Sequence, residues 1–202
     1  MRSKLIRRRA SSSGVLMLEA AEYVLFAAGL IALVLFAWWE IDGRYHQAVY
    51  QRQIDEALSG RNGSEASTAV VSEPPVVMDG PFGRLRCPRI GLDVAVVNGL
   101  DDTTLRRAAG RLPRMGPNIV IAAHRDTYFR PLKEISEGDQ ITLETLDGET
   151  RIYSVRAVEI TGPSDVEWMR QTESPVLTLI TCYPFNWVGP APQRVVVRAE
   201  AS

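Results

Sequence analysis

The chain has 202 residues, with 23 Lys and Arg balanced by 24 Asp and Glu for a formal net charge of −1, which excludes a large multidomain machine and gives no global field to draw nucleic acid. Its Cys87, Cys182, His46 and His124 are too few for a disulfide-dense scaffold and lack the paired spacing of a zinc site, so no metal and no other cofactor is expected.

Five basic residues, Arg2, Lys4, Arg7, Arg8 and Arg9, precede an uncharged apolar run from Tyr23 to Trp39. At 1.5 Å per helical residue the run covers about 26 Å, close to a hydrocarbon core of about 30 Å, and Ala20 and Ala21 extend it. Tyr23 and the Trp38-Trp39 pair stand where interfacial aromatics are expected. The bulky exit Ala-Trp-Trp-Glu argues for a retained signal anchor over a cleaved leader. The expected organisation is a cytoplasmic basic N-terminus over 1–19, a transmembrane helix over 20–39, and everything beyond it outside the membrane under the positive-inside rule.

Residues 40–81 read as stalk and flexible linker. Glu40 to Leu58 is loosely helical and continues the membrane helix outward, with His46 a solvated stalk residue, while SGRNGSEASTAVVSEPP, Ser59 to Pro75, carries no periodic apolar face. From Phe82 the texture changes to short β-branched runs separated by turn residues. Strands are expected at Gly83–Pro88, Leu92–Val97, Asn118–Ala123, Gln140–Leu146, Thr150–Glu159, Val176–Cys182 and Gln193–Ala199. A hairpin turns at Asp147-Gly148, and short helices fit Asp101–Ala109, stopped by Gly110, and Tyr128–Ile135. The fold class is mainly β: a small closed barrel of about seven to eight strands with short helices, covering 82–202 and preceded by one N-terminal transmembrane helix.

Within that barrel His124 ends the strand-like run IVIAAH and Cys182 ends LTLITC. A reactive side chain at a strand end is held by a rigid ladder yet opens onto a loop. A thiolate nucleophile needs a neighbouring base or cation to form at neutral pH. Acyl transfer also needs a donor aimed at the tetrahedral oxygen, and Arg194 supplies one, opening RVVVRA after the loop YPFNWVGPAPQ. Taken singly, a strand cysteine reads as core and a strand arginine as a solvated face residue. The combination with His124 points to cysteine chemistry. Asp126 reads as a turn residue after the strand.

TLITCYPF at Thr178–Phe185 with APQRVVV at Ala191–Val197 resembles the active-site signature of sortases, class D in particular. AAHRDTYFRPL at Ala122–Leu132 is similar to their histidine loop, and PRIGLDVAVV at Pro88–Val97 to their opening strands. The resemblance implies a sortase-like β-barrel acting as a cysteine transpeptidase of the cell envelope, with hydrolase (thiol protease) chemistry as its first half. Cys182 would attack the threonine carbonyl of an LPXT-like sorting signal near a substrate protein's C-terminus. His124 would serve the departing and incoming amines, and Arg194 would steady the oxyanion. Implied partners are substrate proteins bearing that signal, an amine acceptor such as a cell-wall precursor, and the lipid bilayer through residues 20–39.

Thr181, Tyr183 and Trp187 are candidate substrate contacts, though a strand threonine is usually a β-former and the two aromatics equally fit packing of their loop. Cys87 stands where the family has an aliphatic residue and reads as core. Two other readings stand beside this one: a non-catalytic membrane-anchored interaction module, and an L,D-transpeptidase, which would be expected to carry His and Cys together in an HGC-like motif.

Overall fold

The computed structural model describes residues 12–61, 80–113 and 116–202. The basic cluster between Arg2 and Arg9 and most of the Ser59–Pro75 linker lie outside these residues. The chain divides into two compact units, Met1–Asp42 and Gly43–Ser202.

Helix α1 runs Ser12–Arg61. Its apolar window Ala21–Trp38 has a mean hydropathy of 2.0, is long enough to cross a membrane and is wholly exposed. A continuous apolar surface with no protein core to cover it is compatible with a single-pass anchor.

Within the second unit, the later turns of α1 are held by the domain that follows instead of standing free as a solvated stalk. Ile54 is fully buried. Arg84 Nη1 donates to Asp55 Oδ1 at 2.7 Å while its Nε donates to Asp93 Oδ1 at 2.7 Å, so one guanidinium bridges helix and sheet. His46 is half-buried, its ring 6.3 Å from that of Tyr50.

Eight strands close a barrel: β1 (Pro81–Cys87), β2 (Leu92–Asn98), β3 (Ala109–Arg111), β4 (Asn118–Ala122), β5 (Gln140–Thr145), β6 (Thr150–Thr161), β7 (Val176–Tyr183) and β8 (Gln193–Ala201). Their order around it is β1-β2-β3-β4-β7-β8-β6-β5. The β2/β3 and β4/β7 pairs are parallel and the others antiparallel. Parallel neighbours need crossovers: one carries helix α2 (Asp102–Arg107), the other the β5–β6 hairpin. That hairpin turns at Asp147-Gly148, where Gly148 has φ +91° and its N–H donates to the Thr145 carbonyl at 3.0 Å.

Two sequence expectations are corrected. Helix α2 begins as expected, with Asp101 accepting from the Thr103 and Thr104 N–H groups at 2.9 and 3.1 Å. It ends at Arg107, and β3 occupies the stretch where the helix and its glycine stop were expected. A Cβ on Gly110 would lie 2.2 Å from the Gly99 carbonyl oxygen, so this glycine serves a close approach of two backbones. The expected Tyr128–Ile135 helix is one 3-10 stretch, Arg130–Glu134.

The principal core includes Leu85, Val94, Ile121, Leu143, Tyr153, Leu177, Leu179 and Val197. Cys87 is buried among them, and that burial pushes its thiol pKa up. At one rim Arg89 forks onto the Asp139 carboxylate, which also accepts from the Ser136 N–H at 2.8 Å. The Arg89 bonds, joined by the Ser136 N–H, hold the Asp139 carboxyl below its ordinary range.

Candidate active site

Three neighbouring strands, β4, β7 and β8, bring the sequence candidates together. Cys182 faces Arg194 directly in the antiparallel β7/β8 ladder. On the other side the parallel β4/β7 register runs to Ala122 opposite Ile180, and the Ala123 N–H continues it by donating to the Ile180 carbonyl at 3.2 Å. Two residues past Ala122 and Ile180 stand His124 and Cys182. With neighbouring strands about 4.8 Å apart, the cysteine occupies the middle strand with the histidine on one side and the arginine on the other. The 12 residues between Cys182 and Arg194 become one strand spacing, and His124, 58 residues from Cys182 in sequence, follows the end of the strand on the other side. Cys182, His124 and Arg194 are all half-buried.

Strand alternation decides which face each residue takes. Leu177 and Leu179 of β7 and Val195 and Val197 of β8 belong to the principal core. Ile180 and Val196, with Val120 of β4, form a second cluster against which Leu112, Ala122 and Trp168 pack. Cys182 and Arg194 follow Ile180 and Val196 at even spacing. The thiol and the guanidinium therefore share the face carrying this second apolar cluster.

The same alternation gives two of the expected substrate contacts other tasks. Thr181 is 2% exposed, and its Oγ1 donates to the Ala123 carbonyl at 2.8 Å. It ties the cysteine strand to the residue preceding His124. Tyr183 packs on the principal core, with its ring centroid 6.2 Å from that of Phe185. Trp187 is 48% exposed in the β7–β8 loop, with Nε1 donating to the Pro190 carbonyl at 3.0 Å. Asp126 is exposed in the turn after β4, where a turn residue was expected.

Side chains that sequence reading passed over tie the neighbouring segments to these strands. Asn118 of β4, 3% exposed, donates through Nδ2 to the Trp168 and Arg170 carbonyls at 3.0 and 2.8 Å and accepts from Thr178 Oγ1 at 2.8 Å. These bonds fasten the segment between β6 and β7 over the second apolar cluster, where the Trp168 Nε1 is buried without a partner. A sequence in which Asn118 merely opens an apolar strand carries no sign of this. Arg125, beside His124, donates through Nη2 to the Trp187 and Gly189 carbonyls at 2.7 and 3.2 Å. Arg194 donates through Nη1 to the carbonyls of Ala191 and Gln193 at 3.2 and 2.8 Å.

A thiol, an imidazole and a five-donor guanidinium thus stand on three neighbouring strand ends beside a Pro/Gly-rich loop. In general chemistry a thiol can act as a nucleophile, an imidazole can move protons and a guanidinium can meet developing negative charge. Among the described residues no three His, Cys, Asp or Glu side chains gather as a metal cluster. A cavity of about 250 Å³ lined by Tyr50, Asp101, Thr103, Thr104 and Arg107 includes none of the three candidates.

Comparison with known proteins gives a consistent result. A family model described as the sortase domain matches residues 85–202. The chain is 35% identical over 121 residues to sortase D of Bacillus subtilis (strain 168); the match covers 57% of this chain and 61% of that protein, so it spans under two thirds of the relative's length. The fold is similar to that of sortase A of Listeria monocytogenes, at a TM-score of 0.56 and 22% identity over 61% of this chain and 88% of the other. It is also similar to a sortase D5 transpeptidase of Clostridium perfringens, at a TM-score of 0.57 and 18% identity over 80% and 98% of the two chains.

Proposed function

The chain belongs to the sortase family, its curated similarity lying with class D, and from that premise we propose that it is a membrane-anchored cysteine transpeptidase using Cys182, His124 and Arg194. The observation that supports the reading is the register of three strand ends, with Cys182 opposite Arg194 and with Ala122 opposite Ile180, two residues before His124 and Cys182.

In the proposed reaction the Cys182 thiol passes its proton to His124 and Sγ attacks the threonine carbonyl of an LPXT-like sorting signal. The carbonyl oxygen takes up negative charge, which N–H groups of the Arg194 fork stabilise. His124 gives a proton to the departing amine, the C–N bond breaks and a thioester remains. An incoming amine, such as that of a cell-wall precursor, then attacks the thioester. His124 takes its proton and passes it to the departing sulfur, so that the new amide forms and the thiol is released. Water in place of the amine gives hydrolysis. The segment carrying Trp168, which covers the buried Val120, Ile180 and Val196, is proposed to border the signal's apolar residues, and Trp187 to border the loop side. Thr181 enters through its bond to Ala123, which sets the histidine strand.

The Ala21–Trp38 window is proposed to hold the protein in the bilayer, with the basic N-terminus cytoplasmic and the barrel outside. Protease added to sealed right-side-out vesicles would then degrade the barrel and spare the N-terminus.

The chemistry is tested on the full-length chain in detergent micelles, with a panel of LPXT-type peptides and an amine acceptor followed by mass spectrometry. Cleavage after Thr with amine transfer is expected, together with a Cys182 acyl-enzyme, and both are lost in Cys182→Ala, His124→Ala and Arg194→Ala. A folded protein that forms no acyl-enzyme with any peptide, and whose Cys182 resists thiol reagents, would leave the interaction-module reading in its place.

A further inference from the structure

The β7–β8 loop, residues 184–192, holds Gly189 at φ +94° between Pro184, Pro190 and Pro192, a composition that builds no ladder and leaves its carbonyls to be met by side chains. Trp187 Nε1 meets the Pro190 carbonyl, and Arg194 meets those of Ala191 and Gln193. Arg125 meets those of Trp187 and Gly189, at 2.7 and 3.2 Å. Of these three donors Arg125 is the one from outside the loop and its following strand: it comes from the turn after β4, one residue after His124. Both its bonds come from a single NH2 group, which has two N–H bonds to give, so the two carbonyls saturate it. The side chain thereby reaches from the histidine's turn to the loop that follows the cysteine strand and leads into Arg194.

We propose that Arg125 is a positioning residue: its guanidinium clamps the β7–β8 loop to the turn that carries His124, so that imidazole, thiol and Arg194 keep one geometry through both halves of the reaction. The proposal rests on the assignment of those three residues. It makes Arg125 a clamp and not a proton carrier, because its guanidinium keeps its proton and its Nη2 group is committed to two loop carbonyls. Freeing the loop relaxes the approach of the loop's Arg194 end to the cysteine and leaves the barrel strands intact, since the β7/β8 ladder still pairs from Val176 to Tyr183.

The test uses the full-length chain in detergent micelles as wild type, Arg125→Met and Arg125→Lys. Amide hydrogen exchange is measured by peptide, and steady-state transfer from an LPXT-type peptide to an amine. In Arg125→Met, exchange across 184–193 is expected to rise about tenfold while that of β7 stays unchanged, and kcat is expected to fall about tenfold with little change in KM, as for a loss felt in the transition state. Arg125→Lys keeps a donor able to meet two carbonyls, and is expected to restore much of both quantities together. Loop exchange unaltered in Arg125→Met overturns the clamp. Looser loop exchange with an unchanged kcat, or a Lys variant that recovers kcat without recovering loop protection, overturns the positioning role. The second pattern would mark a purely electrostatic effect. A wild type that turns over no peptide removes the reaction and the positioning role with it, whereas the exchange measurement still decides the clamp, so the two failures are told apart. If Arg125→Met does not melt cooperatively, Arg125→Gln carries the same reading.

Discussion

Thr181 offers the sharpest separation of stability from catalysis. Replacing it with Val keeps the branched shape at a site 2% exposed and removes the hydroxyl that donates to the Ala123 carbonyl at 2.8 Å. One lost intramolecular hydrogen bond costs about 1 kcal/mol net, and in a domain of this size that lowers Tm by about 3 to 6 °C. Ile141→Val, in fully buried core of β5, removes one methyl group and costs a similar amount, about 0.5 to 1.5 kcal/mol. The two variants therefore melt together. They should differ in turnover, because the Thr181 bond ends one residue before His124 whereas Ile141 lies across the barrel. Thr181→Val is expected to lose about tenfold in kcat/KM, a plausible penalty for a displaced catalytic group, while Ile141→Val stays within about twofold of wild type. Thermal melts and peptide transfer on the same preparations provide the comparison. Equal activity in the two variants would refute the claim that Thr181 acts through the histidine strand.

Other consequences follow from single contacts. Arg194→Lys retains the charge but loses the planar fork, so kcat is expected to fall by about 10² to 10³ in transfer assays, the usual cost of an oxyanion donor, with Tm nearly unchanged. Ile54→Ala, at a fully buried position on α1, is expected to cost about 2 to 4 kcal/mol in denaturant titration of the second unit; a change below about 0.5 kcal/mol would mean that the helix is not held by the barrel. The Asp139 carboxyl is held below its ordinary range by Arg89. Its stabilising effect is therefore full above the unfolded value of about 3.9 and is lost as pH falls through the lower folded value. The Tm difference between wild type and Asp139→Asn should accordingly be constant at about pH 6 and shrink below about pH 4; a difference that grows on acidification would contradict that ion pair.

Much of this protein is legible in one dimension because its signals are local. Apolar length without charge marks the anchor, alternation in Gln140–Thr145 and Thr150–Thr161 marks the hairpin, and Asp101 before Thr104 marks a helix start. Strand β3 was not legible: three residues around a glycine look like a helix stop until Gly99 is known to lie against Gly110. The docked portion of α1 was not legible either, because a lone Ile54 and a lone Asp55 signify nothing without Arg84 opposite.

The sequence alone determined the membrane-length helix, the β-rich domain after it, and the three residue types able to run cysteine acyl-transfer chemistry, since each depends on composition or on neighbours in the chain. Only the closed barrel decided that β4, β7 and β8 adjoin, and with that which residues face the thiol. Alternation turned Thr181 and Tyr183 toward the fold and left Trp187 in the loop. The turn after β4 brought Arg125 to the β7–β8 loop, and the start of β4 set Asn118 under the segment between β6 and β7. Contacts between residues tens of positions apart are set by strand order and register, and neither is written in any local stretch of chain.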